Sequence, residues 1–323
     1  MEFVTLVDGV RLHVESDGPR DPRASRPRAT VVLVHGWTLS KETWAKVIPD
    51  LLTSGDIRVV TYDHRGHGGS DAVSPETASI EQMAKDLVVV LEEVCPSGPV
   101  ILVGHSLGGM TLLALAEQRP DLITGRVVGM VLVNTSAGGP HGVNNGLPLG
   151  QTPVARSIVG RALTAEARRR AAPKRAGKPR EGRAYGALVA RLLTGPDAAR
   201  EDVLSAVQMV RETPGASFPA FLSTFLTHDR RHALSRLGGI PVAILSGARD
   251  RLTPVAESVE MYRLLPSATL KVFPQAGHML PLERSSAVSG AILDTLRRAL
   301  PGASPTGGAS NDLASSHGVQ SRS

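Results

Sequence analysis

The chain has 323 residues and a formal charge of +6, with ordinary apolar content, few aromatics and one cysteine, Cys95. That length can bury a full core, and no apolar run reaches bilayer length, so no transmembrane segment is expected. A single cysteine excludes an internal disulfide and points to a reducing, cytoplasmic setting. Aromatics at 3% leave few platforms for stacking bases, which argues against nucleic-acid binding.

The first elements in chain order are two short strands within residues 2–15, turning at Asp8-Gly9. A polar, Pro-rich loop leads to the buried strand TVVLVHGW (Thr30–Trp37) and then an amphipathic helix, KETWAKVIPDLL. IRVVTYDHRGHGGSD runs from strand into a glycine-rich loop, and Ile80–Val94 has helical spacing. VILVGHSLGG (Val100–Gly109) then passes from a buried strand into a helix that stops at Pro120. Val127–Ser136 is another buried strand. Regular alternation lapses over residues 137–235 and resumes with the strand IPVAILSGARD (Ile240–Asp250) and the helix PVAESVEMYRLL. The strand ATLKVFPQAGH and a last helix, SAVSGAILDTLRRAL, complete the series. Residues 302–323 are rich in Gly, Ser and Asn and are expected to be a disordered tail.

Strand–helix alternation on both sides of an insertion predicts an α/β fold. Its doubly wound, mostly parallel sheet would be covered by helices on both faces. The expected division is a core of residues 1–136 and 236–301 and an inserted helical cap of residues 137–235. Ligands in such sheets bind beyond the strands' carboxyl ends. His35-Gly36-Trp37, Asp63, Ser106, Asn134, Asp250 and Gly277-His278 all follow apolar strands, so one rim collects them.

G-x-S-x-G between a strand and a helix is a nucleophile elbow, with Gly104 and Gly108 keeping side chains away from Ser106. A serine hydroxyl needs a base, and that base needs a carboxylate to fix its tautomer. His278 and Asp250 stand at equivalent strand ends in the order Ser…Asp…His. Asn134-Thr135-Ser136 offers no carboxylate after the strand that follows the elbow, which favours Asp250. Two backbone donors are required for an oxyanion. Leu107 N–H is one, at the helix start, and Trp37 N–H is expected to be the other, with its indole walling the acyl pocket. His35 should brace its loop, the His105 side chain should point away into the sheet, and Asp63 to Ser70 reads as a self-bonded loop. His64 and His67 lack a partner set for a metal, so neither metal nor cofactor is expected.

These segments, HGW at 35–37, DHRGHGGS at 63–70, GHSLGG at 104–109, SGARD at 246–250 and AGH at 276–278, resemble the α/β-hydrolase superfamily. The resemblance runs from about Phe3 to Leu300, with residues 137–235 as the variable cap. It implies Ser106 as nucleophile, His278 as base, Asp250 as its orienting acid, and Trp37 and Leu107 as the oxyanion hole. A serine at the elbow sets the chain apart from the haloalkane dehalogenase and epoxide hydrolase branches, which use aspartate there. The expected function is a carboxylesterase- or lipase-like serine hydrolase. Thioester hydrolysis, C–C bond hydrolysis and cofactor-free perhydrolysis use the same triad. Within the cap, Arg161–Arg191 holds ten basic residues against Glu166 and Glu181. It reads either as a solvated loop or as a docking surface for an acidic carrier protein, a CoA thioester or an anionic membrane surface.

Overall fold

The computed structural model describes residues 2–19, 27–138, 183–214, 221, 224–225 and 227–301. The expected tail and most of the Arg161–Arg191 tract lie outside these residues, as does much of the insertion. Eight strands form one sheet: β1 (Glu2–Thr5), β2 (Arg11–Asp17), β3 (Ala29–Val34), β4 (Ile57–Tyr62), β5 (Val100–His105), β6 (Val127–Val133), β7 (Val242–Gly247) and β8 (Thr269–Phe273). Their order is β1-β2-β4-β3-β5-β6-β7-β8. Only the hairpin strand β2 runs against its neighbours, and the rest of the sheet is parallel, as the alternation predicts.

The central strands are continuous apolar runs because both faces are covered. Val32 and Val34 of β3 face the core beneath α2 (Ile80–Glu93) and α3 (Leu107–Gln118). Val31 and Leu33 face the opposite core, beneath α1 (Val47–Leu52) and the final helix Ser285–Ala299. Helix α2 begins where Ser79 accepts the Gln82 N–H, the side-chain cap that a Ser three residues before a Gln signals. Helix α3 is apolar all round and buried accordingly.

Two expected boundaries differ. KETWAKVIPDLL is not one helix but a 3₁₀ turn at Lys41–Trp44 followed by α1, with Pro49 accommodated in the first turn. The helix after the elbow stops at Gln118, and Pro120 opens another, α4 (Pro120–Gly125), where its missing N–H costs nothing.

The described part of the insertion includes α5 (Arg183–Leu193) and α6 (Arg200–Glu212). Its base is closed by an antiparallel bridge between Gly138 and Asp229, with Arg230 N–H donating to the Ala137 carbonyl. Helix α7 (Val255–Leu264), the turn α8 (Leu280–Glu283) and α9 (Ser285–Ala299) complete the chain. Among the described residues no helix is long and apolar enough to cross a membrane.

Candidate active site

The parallel strands β3, β5, β6 and β7 are in register, so their carboxyl ends form one rim. At its centre the chain turns from β5 into α3 through Ser106, whose φ of 54° and ψ of −119° fall outside the regions a side chain favours. Strain of this kind costs on the order of 1–3 kcal/mol and persists only where the surroundings impose it. They do so here by close approach. A Cβ on Gly108 would strike the Val34 carbonyl, and one on Gly104 would lie 2.5 Å from Gly109 N. The hydroxyl thereby stands over the helix N-terminus, where first-turn N–H groups lack intrahelical acceptors and the dipole favours negative charge.

Asp250 and His278, 28 residues apart, meet beside the elbow, with His278 Nδ1 2.7 Å from Asp250 Oδ2. Both residues are buried. A carboxylate against Nδ1 holds the proton on that nitrogen and leaves the Nε2 lone pair to act as base. Asp250 is itself fixed. Leu252 and Thr253 N–H donate to its Oδ1 at 2.8 and 3.0 Å, and the Thr253 hydroxyl donates to Oδ2 at 2.7 Å. Among the described residues no hydrogen bond joins the Ser106 hydroxyl to His278. Catalytic hydrogen bonds are commonly long before substrate binds.

The loop after β3 abuts the elbow: a Cβ on Gly36 would lie 3.1 Å from Ser106 Cβ. The loop after β3 and Leu107, the first residue of α3, therefore meet beside the serine. The Trp37 ring packs 5.1 Å from Phe225 of the insertion. Thr38, also at positive φ, has its carbonyl held by the Thr213 hydroxyl at the end of α6.

The neighbouring imidazoles are buried and held neutral. Burial pushes His35, His64 and His105 below the ordinary histidine range, and His67 down to about 3. His35 Nδ1 donates to the Gly36 carbonyl at 2.8 Å and its Nε2 accepts the His64 N–H at 2.9 Å, so the ring ties two loops together. Asp63 accepts the Lys41 and Gly69 amides, so its loop is bonded within itself and to the 3₁₀ turn. His105 does more than point into the sheet. Its Nε2 donates to the His278 carbonyl at 2.8 Å, and the two rings lie 4.8 Å apart. Burial raises the Cys95 thiol to about 11, which leaves it unreactive near neutral pH. Among the described residues no cluster of three or more His, Cys, Asp or Glu could hold a metal ion.

Sequence reasoning placed Asn134 on the rim without a role and passed over Thr253 and Glu283, all three being supports of this site. Asn134, at φ 42°, donates its amide to the Gly277 and His278 carbonyls at 2.8 Å each and accepts the Gly247 N–H. Thr253 grips Asp250. Glu283 is buried and accepts the amides of Gly195, Gly277 and Met279. Burial raises its carboxyl above the usual range, opposed by those amides. The available signals were a polar residue directly after a buried strand, and a lone acid in the apolar stretch after His278.

A model of the alpha/beta hydrolase fold family matches residues 29–285. Over 121 residues the chain is 37% identical to a bifunctional esterase/perhydrolase of Acinetobacter calcoaceticus, covering 38% of this chain and 41% of that protein. It is 26% identical over 281 residues to a non-heme chloroperoxidase of Burkholderia pyrrocinia, covering 86% and 93%. The chain spans less than half the length of the first curated relatives it matches. A thermophilic esterase from Thermogutta terrifontis superposes with a TM-score of 0.71 at 24% identity, over 93% of this chain and 99% of that one. That likeness is one of fold.

Proposed function

The chain belongs to the α/β-hydrolase family, and from that premise we propose that it is a serine hydrolase cleaving carboxylic esters through an acyl-enzyme on Ser106. One observation carries the reading: a strained serine at the start of a helix shares a rim with a histidine whose Nδ1 is bound to a buried carboxylate at 2.7 Å.

In this mechanism His278 Nε2 takes the Ser106 hydroxyl proton as the oxygen attacks the ester carbonyl. The oxyanion is met by Leu107 N–H and Trp37 N–H, donors worth about 3 kcal/mol each where they have been removed from such sites. The tetrahedral intermediate collapses, and His278 passes its proton to the departing alkoxide, which leaves as alcohol. Water then attacks the acyl-enzyme with His278 again as base, releasing acid and restoring Ser106. Asp250 holds the imidazole's tautomer and offsets the imidazolium charge throughout.

The names of the Acinetobacter and Burkholderia relatives favour a second reading of the deacylation step, in which hydrogen peroxide replaces water and a peracid leaves. Both readings share the acyl-enzyme.

The test is hydrolysis of p-nitrophenyl esters from acetate to laurate by the wild type and by Ser106→Ala. Turnover is expected to fall about 10⁶-fold in the variant. The wild-type chain-length profile then sizes the acyl pocket. No turnover at any length by folded wild-type protein would overturn the esterase reading.

A further inference from the structure

The loop that carries His278 is bound to the core through Asn134, His105 and Asp250, and to the insertion as well. The Leu193 carbonyl, at the end of α5, accepts both the His278 N–H at 2.8 Å and the Met279 N–H at 3.0 Å. Just beyond it, Gly195 and Gly277 meet backbone to backbone. A Cβ on Gly195 would strike the Gln275 carbonyl, and one on Gly277 would strike Gly195 N. An apolar cluster closes the same junction, with Val189 and Leu193 of α5 and Met209 and Val210 of α6 packed with Met279 and Leu282.

Glu283 sits in the middle of this junction, and its two oxygens divide the labour. Oε2 accepts the Gly195 N–H at 2.9 Å and the Gly277 N–H at 3.0 Å. Oε1 accepts the Gly277 N–H at 3.1 Å and the Met279 N–H at 3.2 Å. The amides on either side of His278 and one amide of the insertion thus converge on one buried carboxylate. The guanidinium of Arg284 donates to Asp197 and to the Glu283 backbone carbonyl, with no hydrogen bond to the Glu283 carboxylate among the described residues. A buried carboxylate is costly, and several amide donors are what offset the cost. Packing alone would be served as well by an apolar residue.

We propose that Glu283 is a positioning residue through which the docked insertion sets the geometry of His278. This rests on the reading of His278 as the base for Ser106. The insertion then does more than cover the site: its seating at Thr194-Gly195 completes the clasp that fixes the backbone on both sides of the histidine. Histidine geometry and insertion position become one variable, and a displaced insertion leaves the imidazole misaligned.

The test uses the full chain with two substitutions that break the clasp differently. In Glu283→Gln the carboxamide presents an NH₂ where one carboxylate oxygen stood, so either the Gly195 amide loses its acceptor or the Met279 amide keeps only the Leu193 carbonyl. Gly195→Ala keeps the carboxylate but forces the two backbones apart. Each is expected to lower kcat on a p-nitrophenyl ester about 100-fold, the loss that a misplacement near 1 Å brings, with KM changed less than about twofold. The imidazole nitrogen NMR spectrum, which reads the tautomer and partner of His278 without turnover, is expected to change in both variants. A kcat per folded molecule and a His278 spectrum that both stay wild-type, with only the melting temperature lowered, would reduce Glu283 to a fold stabiliser and overturn the proposal. If one variant does not fold, the other carries the test. If the wild type turns over no ester, the hydrolase reading fails on its own, while the His278 spectra still decide whether Glu283 positions that ring.

Discussion

Two loops on the same rim carry buried histidines, and they differ in one respect. In the loop after β8, His278 has a carboxylate 2.7 Å from Nδ1 and its backbone is held by Asn134, Leu193 and Glu283. In the glycine-rich loop after β4, His64 and His67 are as deeply buried, but their ring hydrogen bonds go to the carbonyls of His35 and Arg65. A carbonyl accepts a proton's hydrogen bond without stabilising a second proton on the ring. A carboxylate does both. The proposed mechanism assigns the base to the first loop, where a carboxylate faces the ring, while burial holds the imidazoles of the second neutral as braces.

The contrast breaks first at Asp250. In Asp250→Asn the group facing Nδ1 no longer favours the required tautomer or the imidazolium, and kcat is expected to fall about 10⁴-fold with the fold retained. Ester turnover with a melting curve checks both halves. A fall of less than tenfold would mean that His278 does not depend on its carboxylate, and the distinction between the loops would lose its meaning.

A smaller effect sharpens the other side. His67 is pushed down to about 3 when folded, against an ordinary histidine value near 6.5 when unfolded. Between those values the unfolded chain takes up a proton that the folded one refuses, so stability falls as pH drops below 6.5 and continues to fall toward 3. From pH 7 to pH 5 one such histidine accounts for about 2 kcal/mol of lost stability. His67→Phe, which preserves a ring beside Phe221, is expected to reduce the acid loss by about that amount and to leave kcat within about threefold. Urea denaturation at the two pH values measures the first, and ester turnover the second. A large loss of kcat in folded His67→Phe would move this loop from brace to chemistry.

Much of the architecture was legible because its causes are local. Two-sided burial writes β3, β5 and β6 as apolar runs, and a tight strand-to-helix turn demands glycines around Ser106. Boundaries were less legible where a local rule has two outcomes. Pro120 reads as a helix end, yet proline is equally at home in a helix's first turn. The roles of Asn134 and Glu283 were out of reach for a different reason. Each has a partner on another loop, Asn134 the His278 carbonyl 144 residues away and Glu283 the Gly195 amide 88 residues away. Nothing in one segment announces an acceptor supplied by another. Where the helices of the insertion sit was harder still, because α5 and α6 dock on the Met279 and Leu282 side chains, contacts that no segment of the insertion announces.

The central claim is that Ser106 becomes covalently modified through the His278–Asp250 pair. Its most direct measurement is reaction with a fluorophosphonate followed by peptide mass spectrometry of the wild type, Ser106→Ala and Asp250→Asn. A single adduct on Ser106 is the expected result, absent in Ser106→Ala and formed far more slowly in Asp250→Asn. No adduct on folded wild-type protein, or label on a residue other than Ser106, would contradict a serine nucleophile at the elbow.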